Sequence, residues 1–195
     1  MARAIRRKND LDNIGSYADA AIPARYALER RDWKAASSLV ADTGEPVDDA
    51  ITAYANGMGS AMLGDTAGAR KAATRLVTYR NRVKPNDDYW GQQIEVQRLQ
   101  VVAWSEFKDG KREEGLRAAR AAADLEDSLE KDPVTPGPVL PARENLAEML
   151  LQAGQKQEAL AEFDAVPKLA PGRYNAAAGA RRTRGADDAA KMNYK

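Results

Sequence analysis

Residues 141–171 read "PARENLAEMLLQAGQKQEALAEFDAVPKLAP", and the fold turns on how this stretch is parsed. Helix formers run over 142–153 and again over 156–166, with the breaker "QAGQ" at 152–155 between them. Gly154 stands where the first helix must end, because glycine enters the left-handed backbone of a helix C-terminus without steric penalty. Five positions later, the small Ala159 lets the second helix press closely against the first. The stretch therefore reads as two antiparallel helices joined at a glycine, closed by "KLAPG" at 168–172.

The same rule recurs along the chain. Gly64, Gly110 and Gly185 each end a helix and are followed five residues later by Ala69, Gly115 and Ala190, and Arg31 with Ala36 repeats the spacing with the glycine replaced. Between these turns, helices are expected over 49–63, 66–83 and 111–130, and Val96, Leu99, Ala103 and Phe107 mark the buried stripe of another. The first and last turn-to-turn separations lie close to the roughly 34-residue tetratricopeptide period, whereas the middle ones are longer. Helical hairpins that cannot bury their apolar sides alone stack on their neighbours. The expectation is all-α: an α-solenoid of about five antiparallel hairpins with longer central helices, over 18–195, preceded at 1–17 by a flexible segment or the tail of a preceding helix.

Composition narrows the roles. The 30 basic residues nearly balance the 29 acidic ones, so no net field recruits nucleic acid or an anionic membrane. Cysteine and histidine are both absent, removing disulfides, thiol chemistry, the commonest general base and the commonest transition-metal ligand. "MARAIRRKND" has no apolar run behind it and does not read as a secretory signal, and no stretch approaches a membrane span of about 20 apolar residues. Cytoplasm and periplasm are equally compatible. The basic runs "RAIRRK" and "RRTR" lie at opposite ends of the chain and read as solvated termini rather than a nucleic-acid surface.

The hairpin at 141–171 resembles a tetratricopeptide repeat: Leu146 and Ala147 match the Leu-small pair of its first helix, Gly154 the turn, Ala159 and Phe163 the second helix, and Pro171 the closing proline. With "AAIPARYALERRDWKAA", "YWGQQIEVQRLQVVAW", "AADLEDSLEKDPVTPGPVLPARE" and "GRYNAAAGA", nearly the whole chain is similar to the C-terminal part of a family of large bacterial tetratricopeptide-repeat proteins of unassigned biochemistry. That resemblance implies further hairpins upstream in family members, so that this chain is a fragment or a shortened form. "RRTRG" at 181–185 departs from the family's Ala-rich helix end, and the last repeat is about three residues shorter than the usual period, so the fifth hairpin is expected to fray.

In stacked hairpins the first helices line a concave face, and residues ten, six and two before each turn point into it. Counting back gives Arg25 and Glu29; Tyr54, Met58 and Met62; Gln100, Trp104 and Lys108; Glu144, Glu148 and Gln152; and Asn175. Arg25, Tyr54, Met58, Gln100, Trp104, Lys108, Glu144 and Glu148 are the candidate binding residues, with Tyr54, Met58 and Trp104 as an apolar anchor for a protein or peptide partner. The bland alternative is that Met58 and Trp104 pack between helices, which exposure decides. The residues ten before each turn do not match the subtype that grips a peptide's C-terminal carboxylate.

The proline-rich "EKDPVTPGPVLPAREN" at 130–145 reads as a stiff connection, Pro133 forcing Asp132 out of the helical region and Pro141 opening the next helix. Its sharper reading is a preformed polyproline ligand or part of a groove wall, and a small-molecule or enzyme-accessory domain with its ligand under this loop is the alternative function. Glu126 and Glu130, one turn apart, read as a charged helix end rather than a metal or acid–base pair, and no phosphate loop or nucleophile elbow occurs. No cofactor, metal or catalysis is expected. Self-association is expected through an apolar end face at Ile14, Tyr17, Ile22 and Tyr26.

Overall fold

The computed structural model describes residues 12–83, 88–129 and 138–192, with side chains described between positions 15 and 185 of these. The described residues form α1 (Asp12–Glu29), α2 (Trp33–Ser37), α3 (Pro46–Met62), α4 (Thr66–Arg82), α5 (Asp88–Lys108), α6 (Arg112–Ser128), α7 (Ala142–Gln152), α8 (Lys156–Leu169) and α9 (Tyr174–Met192), with no strand among them. The chain is all-α. Among the described residues no helix is long and apolar enough to cross a membrane.

The glycine rule accounts for the turns. Gly64, Gly110 and Gly154 take φ values of 85°, 88° and 84°, and Arg31 adopts the same left-handed backbone at 57°. After each, the next N–H donates to the carbonyl five residues back: Asp32 to Ala27 (2.9 Å), Asp65 to Ser60 (2.9 Å), Lys111 to Glu106 (3.0 Å) and Gln155 to Leu150 (2.9 Å). The turn residue itself donates to the carbonyl three back. These paired bonds satisfy the carbonyls that a helix end otherwise leaves open. The small residues five positions on are buried as expected at Ala36, Ala69 and Ala159. At Gly115 a Cβ would fall 2.7 Å from the Ala103 carbonyl oxygen and 2.9 Å from the Phe107 nitrogen.

The fifth turn, expected at Gly185, does not form: α9 runs through it without a break. A single glycine costs a helix interior only about 0.5–1 kcal/mol relative to alanine. Asp32 and Asp65 cap the helices after their turns, their carboxylates accepting from the N–H groups of Ala35 and Gly68, whereas α6 and α8 follow Gly110 and Gly154 with no side-chain cap. The first hairpin is also unequal, since α2 has only five residues. Beyond it the Asp49 carboxylate gathers the loop, accepting from the Thr43 N–H (2.9 Å), the Thr43 hydroxyl (2.7 Å) and the Gly44 N–H (3.2 Å). Helix α3 starts at Pro46, earlier than the expected 49, because proline suits the first helical position.

Each helix packs on the next in sequence, and α1, α3, α5, α7 and α9 also pack each on the next of their own set. Alanines make this approach close. Ala69, Ala72 and Ala73 on α4, and Ala119, Ala122 and Ala123 on α6, are buried at helical spacing beside Leu76 and Leu116. The largest buried side chains, among them Ile51, Tyr54, Met58, Ile94 and Val96, concentrate on α3 and α5. Of the proline-rich stretch, 130–137 lies outside the described residues. Val139 and Leu140 are buried, and Pro141 caps α7.

Candidate functional site

Met58 on α3 and Trp104 on α5 are only 1% and 2% exposed, so both pack chiefly between helices, the alternative that exposure decides. Their outer atoms, with Leu28 from α1, form the apolar floor of a recess of about 420 Å³, counting space open to solvent. Met62 and Trp33 add apolar wall, Leu140 brings the end of the proline-rich stretch to it, and Arg31, Glu144, Asn145, Glu148, Gln152 and Asn175 supply the polar groups. The helices α1, α3, α5, α7 and α9 all contribute.

Of the expected binding residues, the recess brings together Met58, Trp104, Glu144 and Glu148, with Met62, Gln152 and Asn175 from the same count. Tyr54 and Gln100 lie instead in the core, where the Tyr54 hydroxyl donates to Gln100 Oε1 at 2.9 Å and Gln100 Nε2 to the Leu140 carbonyl at 3.5 Å. Burial raises the Tyr54 hydroxyl well above its ordinary pKa, with the nearby Glu126 and Glu144 carboxylates adding to it. Arg25 is half-buried and donates to the Pro138 carbonyl at 3.3 Å. Lys108 is exposed, its ammonium 5.5 Å from the centre of the Trp104 ring. Both are outside the lining.

Two ion-pair groups edge the recess. Arg173, just before α9, donates through Nε and Nη2 to the two oxygens of Glu144, each at 3.0 Å, and through Nη1 to Glu29. Asn175 Nδ2 bonds Glu29 again, at its carbonyl (3.1 Å) and at Oε2 (2.9 Å). In the second group Glu148 Oε1 accepts from both Arg31 and Arg182. Burial pushes the Glu144 carboxyl up, against the pull of Arg173 and with the help of Glu29 and Glu148. Burial would lower Arg173, but two carboxylates share its one guanidinium and hold it above its ordinary value.

Asn145 sits deeper. Its Oδ1 accepts from Trp104 Nε1, which can only donate, and this fixes Nδ2 as a donor; Nδ2 is buried with no protein partner. Arg173, Asn145 and Trp33 carry no sign of this role in the sequence, since none falls on the counted positions. Arg31 does carry one: an arginine at a position where the other turns use glycine. Among the described residues no group of three or more acidic side chains is placed to hold a metal ion, and Glu126 instead accepts from the Ala142 N–H at 2.8 Å. Glu130 lies outside the described residues.

At the end face, Ile22 and Tyr26 are 67% and 64% exposed, one turn apart on α1, while Tyr17 packs with its ring 5.7 Å from that of Trp90. The Ile14 side chain lies outside those described. No family model matches the chain, and no curated protein and no solved structure is significantly similar to it.

Proposed function

We propose that the helices stack as a tetratricopeptide-like solenoid and that the protein is a non-catalytic interaction module taking part of a protein partner in its recess. One observation carries this reading: a single recess receives side chains from α1, α3, α5, α7 and α9, the set that would line the inner face of such a stack, with Trp33 of α2 as the one lining residue from a second helix. An apolar floor of Met58, Met62, Leu28 and Trp104 under polar walls suits an apolar anchor residue with its backbone amides. A recess this narrow takes an exposed segment of the partner rather than a folded face.

The test is selection of binders from a random-peptide display library on the immobilised protein, followed by affinity measurements on Met62→Arg and Gln152→Arg. Both positions lie at the partly or fully exposed edge of the recess, so helix content stays unchanged. Each substitution is expected to weaken selected peptides about tenfold or more. Equal affinity for wild type and both variants would locate binding elsewhere.

The second reading, a small-molecule or accessory domain, is favoured by the presence of Leu140 in the lining, which brings the end of the proline-rich stretch to the recess. Thermal stabilisation by members of a metabolite collection, with no peptide selected, is the outcome that supports it.

A further inference from the structure

We propose that the recess opens and closes, and that the Glu29–Arg173–Glu144 group is the clasp that holds it closed. The partners are far apart in the chain: Arg173 and Glu29 are separated by 144 positions. Helix α1 packs on α2 and α3, and α9 on α8 and α7. What joins α1 to α7 and α9 is a set of polar contacts, with the recess, rather than interlocked apolar side chains, lying behind them.

The charges divide cleanly along this seam. Glu29 and Arg31 belong to the α1 side, and Arg173, Glu144, Glu148 and Arg182 to the other. If the seam parts, Arg173 keeps its two-bond pairing with Glu144, whose side chain is only 3% exposed, and Glu148 keeps Arg182. These six charges then leave each side's ion-pair group formally neutral, with the buried Glu144 still paired, which is the condition under which ion pairs exchange at modest cost. Glu29 is the partner that leaves: its side chain is 29% exposed, and the guanidinium's other two contacts go to Glu144. The Arg25 bond to the Pro138 carbonyl crosses the same seam and is long, at 3.3 Å. Glu144, Glu148, Arg31 and Asn175 are themselves recess lining, so parting the seam widens the entrance and withdraws Leu28 from the floor.

The gating role rests on the reading of the recess as a partner site; the opening does not, and is measured without a ligand. The chain has no cysteine, so Lys34→Cys with Arg181→Cys, both exposed, gives two selective spin-label positions on opposite sides of the seam. The expected result is one narrow distance population in the parent and, in Glu29→Gln and in Arg173→Met, a longer-distance population larger by about fivefold or more, with helix content retained. A peptide selected as above should associate faster with Arg173→Met. Unchanged distances in folded variants would overturn the clasp while leaving the peptide reading intact, as would long distances that arise only with loss of helix. Should neither variant fold, the parent between low salt and 1 M NaCl decides, since screening shortens to about 3 Å there: lengthening supports the clasp and constancy overturns it.

Discussion

Arg31 carries a side chain where Gly64, Gly110 and Gly154 carry none, with the same left-handed backbone. A non-glycine residue in that region costs about 1–2 kcal/mol, and an exposed ion pair such as Arg31 with Glu148 returns about 0–1 kcal/mol. Arg31→Gly is therefore expected to leave stability unchanged or raise it by up to about 2 kcal/mol, whereas Arg31→Ala keeps the backbone strain, loses the pair and lies about 1–2 kcal/mol below Arg31→Gly in urea unfolding. Tyr54 shows the opposite case. Tyr54→Phe leaves Gln100 Oε1 buried without its donor and is expected to cost about 1–3 kcal/mol, the penalty of an unsatisfied buried acceptor.

At the scale of the element, the helices depend on how closely their backbones approach. Gly115→Ala gains helix propensity of about 1 kcal/mol, but its methyl meets backbone atoms of α5 that cannot turn aside, so the net effect expected in thermal unfolding is a loss of about 1–3 kcal/mol. Gly59 is tighter, with a Cβ position 2.4 Å from the Ser37 nitrogen and 2.6 Å from the Trp33 carbonyl oxygen of α2. Between α4 and α5, Glu95 accepts from Arg80 at 2.7 Å and from Arg98 at 2.6 Å. Burial raises the Glu95 carboxyl, yet the two guanidiniums outweigh it and hold the group below its ordinary value of 4.5. The folded state then binds fewer protons than the unfolded one, so this contribution is present above pH 4.5 and is lost as pH falls through the folded value. Glu95→Gln should flatten the acid limb of a stability–pH series. Glu144 has the reverse sign: its raised carboxyl favours folding below 4.5, and that gain is lost as pH rises through its folded value.

For the whole molecule, helices that pack only on near neighbours in sequence make stability graded rather than uniform. Half of the largest fully buried side chains lie on α3 and α5, which have packed helices on both sides, whereas α1 and α9 have neighbours on one side and the clasp on the other. Amide hydrogen exchange is expected to be slowest in α3 and α5 and faster toward α2 and α9. Uniform protection from α1 to α9 would mean that the clasp locks the whole array into one unit.

The helices, four of their turns and the close-packed small residues were legible in the sequence, because each is decided within a few residues by backbone sterics and apolar spacing. Counting back from the turns also found Met58, Trp104, Glu144 and Glu148, since helical period fixes which residues share a face. What the period cannot fix is depth. Tyr54 and Gln100 obey the same count yet lie in the core, because neighbouring helices set how far the inner face is covered. Gly185 obeys the turn signal yet stays helical, because a lone glycine does not by itself start a second helix. The Glu29–Arg173–Glu144 clasp left no local trace at all, since Glu29 and Arg173 lie 144 positions apart and only tertiary packing brings them together.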